Sequence, residues 1–118
     1  MAEYALFIGW GAPRVGREAA AGRVFAESLA YWNGLKAAGE IESVETVLLD
    51  PHGGDLGGFA LLRGDPEKLV RITMSPDYQR LSMRAAVCLD HVGIVNALVD
   101  AGAMRVMGEW PGVIADLV

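Results

Sequence analysis

A chain of 118 residues with a single cysteine and 53% hydrophobic residues is long enough for one domain whose core needs no disulfide. Ten basic against fifteen acidic residues give a net charge of −5, and the arginines are spread singly along the sequence, which speaks against a nucleic-acid partner. A mean hydropathy of +0.30 is high for so short a chain and implies apolar surface that a partner or a pocket must cover.

Residues 4–10 (YALFIGW) are aromatic, β-branched or aliphatic up to Gly-Ala-Pro, and predict a strand covered on both faces. A turn over 11–16 leads into helical periodicity over 17–39, where Val24, Phe25, Ser28, Leu29, Tyr31, Trp32 and Leu35 share one side and Arg23, Glu27, Asn33 and Gly34 lie opposite. Gly39 is the expected stop. A strand over 41–49 follows, with Glu42 and Glu45 suiting a sheet edge. The loop PHGGDLGG (51–58) is too short for a crossover helix, so residues 59–63 should run back antiparallel. Asp65-Pro66-Glu67 opens a second helical region, and Ser75-Pro76-Asp77 restarts it, which predicts a kink or two abutting helices. Beyond the break Tyr78, Leu81, Ser82, Ala85, Cys88 and Leu89 form one stripe, with Met83 and Val87 on the other side.

Residues 91–99 read as a fourth strand that Gly102 should end. The domain is therefore expected to span residues 1–118 as one unit, with a core over 3–102 and an apolar segment, 103–118, that packs on a partner subunit. Cys88 falls in an apolar helical stripe and reads as a reduced core thiol. Met1-Ala2-Glu3 carries no basic leader and the run Tyr4–Ile8 is too short to span a bilayer, so a cytoplasmic protein without membrane contact is expected.

The order strand, helix, strand, strand, helix, strand predicts an α+β class domain of ferredoxin-like βαββαβ type. Its antiparallel four-stranded sheet should carry two helices on one face, and a second copy packed on the open face would cover the remaining apolar side. This order over residues 4–100, with the segment Ser75-Pro76-Asp77-Tyr78-Gln79, resembles the dimeric α/β barrel superfamily. YCII-related proteins, small uncharacterised domains and cofactor-free monooxygenases belong to that superfamily. The resemblance implies a homodimer and a cavity between sheet and helices; it implies no particular chemistry.

Candidate site residues each carry two readings. Asp50 and His52 are either an acid/base pair or parts of a turn, and His91 is either a base or a partner for the last carbonyls of a helix. Arg63 and Asn96, at the ends of apolar strands, either hold a ligand's polar groups or meet water. Tyr4, Trp10, Tyr31 and Trp32 either line a flat ligand pocket or fill the core. Two histidines without a metal spacing predict no metal, and the glycines of GWGAPRVG lack the residues of a phosphate loop, so no cofactor is expected. Small-molecule binding is the first reading. A cofactor-independent oxygenase or isomerase acting on an aromatic or polyketide-like substrate is the alternative, and a structural or protein-interaction module is the third.

Overall fold

The computed structural model describes residues 2–118. Strand β1 (Tyr4–Trp10) leads to helix α1 (Glu18–Ala37), then strands β2 (Ser43–Leu48) and β3 (Gly58–Gly64). Helices α2 (Pro66–Thr73) and α3 (Pro76–Cys88), strand β4 (Gly93–Leu98) and helix α4 (Ala101–Val113) follow, before a short 3-10 turn, Ala115–Leu117. The strands form one antiparallel sheet in the order β2-β3-β1-β4, so β3 enters between the two strands that α1 connects. This is the split arrangement expected from the element order.

Local chemistry explains where the helices begin and end. Asp65 accepts a hydrogen bond from the Lys68 amide at 3.2 Å, Ser75 accepts one from the Tyr78 amide at 3.3 Å, and proline occupies the first helical position after each. The second of these caps separates α2 from α3. At the other end of α1, Gly39 takes φ +75°, and the amides of Gly39 and Glu40 reach back to the carbonyls of Lys36 and Leu35. Only a residue without a Cβ adopts that conformation at little cost.

Register sorts the strand residues onto two faces. Leu6 lies opposite Leu62 and Asn96, whereas Phe7 lies opposite Leu61 and Val95. Leu6, Ile8 and Trp10 therefore point with Ala60 and Leu62 at the helices, where they meet Trp32 of α1, Leu69 and Ile72 of α2, and Tyr78 of α3. Leu6 and Leu62 are fully buried, each contributing about 1.5–3 kcal/mol. The alternate residues, among them Phe7, Phe59, Leu61 and Val95, form a second apolar face on which no helix of the described residues packs, with Val95 more than half exposed and the other three half-buried. Phe7 and Phe59 stack there with ring centroids 5.1 Å apart.

The structure corrects one expectation at the C-terminal end. Gly102 does not end the fourth strand: β4 stops at Leu98, and Gly102 lies inside the first turn of α4, with its amide bonded to the Val99 carbonyl. A Cβ there would collide with the Glu3 backbone, so glycine is needed for close approach. The apolar segment is a helix standing off the domain, with Gly102 its one buried residue. Met104, Met107, Trp110 and Val113, three residues apart, are each more than half exposed. The radius of gyration is accordingly 16.2 Å, against about 13–14 Å for a compact domain of this length.

Candidate ligand cavity

Between the sheet and helices α1 and α3 lies a cavity of about 50 Å3. Its walls are aromatic and aliphatic: Trp10 and Ile8 from β1, Phe25 and Trp32 from α1, Leu89 from the end of α3, and Val92 and Ile94 from the β4 side. Trp10 lies nearly parallel to Trp32, at 6.5 Å and 19°, and meets Phe25 edge-on at 5.8 Å and 69°. Such a set presents flat faces to whatever enters. Trp10, Phe25 and Leu89 also floor a wider cleft of about 490 Å3, bounded by Pro13, Leu48 and Leu49. The three side chains thus stand between an inner cavity and an outer, apolar one.

Three polar side chains line the inner cavity: Ser28, Ser82 and Tyr78. Ser82 donates its hydroxyl proton to the Tyr78 carbonyl at 2.9 Å, which satisfies it within α3. The Tyr78 hydroxyl is buried and has no hydrogen-bond partner among the described residues. Burial, with a smaller contribution from nearby Tyr31, pushes its pKa up to about 12. At neutral pH Tyr78 is therefore a proton-bearing donor. An unmade hydrogen bond of a buried hydroxyl costs about 1–3 kcal/mol, which an acceptor brought within reach of it would recover.

The residues expected from sequence to form a site are distributed over several places. Trp10 and Trp32 line the cavity, and Tyr31 stands beside it with its hydroxyl 3.4 Å from Ser75 Oγ. Tyr4 and Asn96 lie in a separate groove of about 440 Å3 near α2. Arg63 belongs to the open face of the sheet, between Glu45 at 3.4 Å and Asp100 at 3.5 Å. His52 is folded into its own loop: Nδ1 accepts from the Gly54 amide at 3.2 Å and Nε2 lies 2.7 Å from the Leu56 carbonyl. Accepting at Nδ1 places the proton on Nε2, and both nitrogens are then occupied without Asp50. His91, at φ +55°, is exposed, with Nε2 3.9 Å from Asp55. Neither histidine lines the cavity.

Sequence reasoning placed Tyr78, Ser28 and Ser82 in apolar helical stripes and assigned them no site. The available signal was the polarity itself, a hydroxyl recurring on faces that otherwise carry only hydrocarbon. Among the described residues, no three of His, Cys, Asp and Glu gather in a way that could hold a metal.

No family model matches the sequence, and no curated protein does. Solved structures do. A protein of unknown function from Nitrosomonas europaea, NE2512, superposes with a TM-score of 0.62 at 20% identity, over 86% of this chain and 92% of that one. A protein of unknown function from Jannaschia sp. CCS1, described as dimeric and ferredoxin-like, gives 0.62 at 16% identity, over 81% and 99%. The chain has a ferredoxin-like fold. SnoaB of Streptomyces nogalater, described as a cofactor-independent oxygenase, superposes with a TM-score of 0.53 at 16% identity, over 85% and 94%. At these identities the likeness concerns the fold.

Proposed function

We propose that the protein is a small-molecule-binding homodimer whose ligand is a flat, mainly apolar molecule carrying a carbonyl or other acceptor oxygen. The aromatic-walled cavity, lined in part by Tyr78 with its buried, unpartnered hydroxyl, carries this reading. The acceptor oxygen reaches toward Tyr78 beside Trp32, and the ring system extends past Trp10 and Phe25 into the outer cleft. An inner space of about 50 Å3 holds only the polar end of such a molecule, so entry requires Phe25 or Leu89 to turn aside.

The homodimer is supported by the uncovered apolar sheet face and by the description of the Jannaschia neighbour as dimeric. Helix α4 then lies across the partner subunit, which removes Met104, Met107 and Trp110 from water. Cofactor-independent oxygenation, the activity in SnoaB's description, is the second reading. It would require a substrate already ionised on arrival, because Tyr78 holds its proton and neither histidine lines the cavity. Oxygen uptake with hydroquinone-like substrates separates the two.

The test is thermal denaturation of the wild type and Tyr78→Phe with a panel of aromatic ketones, quinones and matched hydrocarbons. Ketones and quinones should raise the wild-type melting temperature, as linkage requires of any ligand that prefers the native state, and should raise the variant's by less. No shift with any member, or equal shifts in both proteins, would overturn the role given to Tyr78.

A further inference from the structure

Val24, which lines this cavity, also borders a second, open recess of about 260 Å3 between α1 and α3. Three arginines line it, Arg17, Arg23 and Arg84, while its other walls, including Val87, offer no carboxylate or other oxygen acceptor side chain. The sequence spreads these arginines singly, but packing of α1 on α3 brings residues more than sixty positions apart to one place.

The charges there are poorly compensated. Among the described residues, Arg17 and Arg23 have no ion-pair partner. Arg17 also stands at the N-cap of α1, where the helix dipole is positive and no side chain caps the first amides. Nearby Glu18 accepts from the Gly16 amide at 3.1 Å. Arg84 is held by Glu27 through two bonds, at 3.1 and 2.8 Å, and Arg80 approaches the same carboxylate at 4.0 Å. Clustering like charges around a concavity is unfavourable unless an anion joins them.

We infer that this recess binds a small molecule bearing a multivalent oxyanion, a phosphate or sulfate ester, with Arg17, Arg23 and Arg84 as its ligating groups. The planar guanidinium fork matches two oxygens of such a group, and three forks around one space suit a doubly charged anion better than a carboxylate. A recess of this size between two helices suits a small molecule; a nucleic-acid strand needs an extended basic track. Glu27 is the internal competitor, because it occupies Arg84 in the absence of ligand. The inference stands apart from the reading of Tyr78, since the two sites share only Val24 among their walls.

Titration of the intact protein with pyrophosphate against chloride at constant ionic strength, followed through the arginine Nε–Hε NMR signals, tests it. Saturable shifts of the Arg17, Arg23 and Arg84 signals are expected. Arg17→Gln and Arg23→Gln should each weaken binding about tenfold, the scale of one charge-assisted hydrogen bond. Glu27→Gln should tighten it several-fold by releasing Arg84. Shifts that never saturate, or arginine variants that bind as the wild type does while retaining its melting temperature, would overturn the site. A Glu27→Gln protein that binds no more tightly would remove Arg84 from it.

Discussion

At Tyr78 stability and binding pull in opposite directions. Its hydroxyl is enclosed without a partner, so Tyr78→Phe should make the ligand-free protein more stable, by about 1 kcal/mol, while reducing the ligand-induced rise in melting temperature. Urea denaturation with and without ligand reads both effects; a destabilised ligand-free variant would mean that the hydroxyl is bonded in solution. The pH dependence follows from the same burial. The folded-state pKa is raised to about 12 from 10.0, so the native state keeps a proton that the unfolded chain releases. The stabilisation is fully present below pH 10 and is lost as pH rises toward 12. Stability should therefore fall more steeply over that interval in the wild type than in Tyr78→Phe, and phenolate absorbance should show one late-titrating tyrosine that the variant lacks. Trp10 and Trp32 were legible as pocket candidates because their positions follow from strand and helix periods. Tyr78 was hidden because its helical stripe looked like ordinary core, and only the packed structure shows that its oxygen lacks a partner.

Among the elements, the break between α2 and α3 is written in adjacent residues and α4 is not. Ser75 accepts from the Tyr78 amide and donates to the Ile72 carbonyl at 2.8 Å, with Tyr31 3.4 Å away, so one side chain ends α2, starts α3 and touches α1. The two backbone contacts reach three residues along the chain, a range that sequence exposes directly. Ser75→Ala should cost about 1 kcal/mol and, by loosening the first turn of α3, weaken ligand binding through Tyr78; calorimetry of the variant with a ligand from the panel separates the two losses. Unchanged ligand affinity in a destabilised variant would confine Ser75 to capping. Gly102 is the opposite case. Its reason is the Glu3 backbone, almost a hundred residues away, so local pattern made it a strand terminator when it is a contact point. Gly102→Ala should destabilise by about 1–3 kcal/mol, because the base of α4 must move off Glu3 to admit a methyl group. A melting temperature equal to the wild type's would show that α4 already sits further from the strand than this.

For the molecule as a whole, the question is what covers hydrocarbon that the single chain leaves in water. Val95 is 57% exposed on the open sheet face, in the edge strand β4 opposite Phe7, and Met107 is 67% exposed on α4. A stable interface buries about 800 Å2 on each partner, more than an isolated patch of two or three side chains can provide, so the sheet face and the helix are best covered together. Val95→Lys then places an unpaired charge inside the sheet-to-sheet contact, where desolvation makes it expensive, whereas on a free surface the same change is nearly neutral. Sedimentation should accordingly show the wild type at twice the 12.6 kDa chain mass and Val95→Lys at the chain mass, with the far-ultraviolet spectrum unchanged. Met107→Glu should weaken the dimer in the same sense without touching the sheet. If Val95→Lys dissociates the pair and Met107→Glu does not, the sheets alone join the subunits and α4 serves another partner; if the wild type itself sediments as a monomer, the homodimer fails for both faces at once.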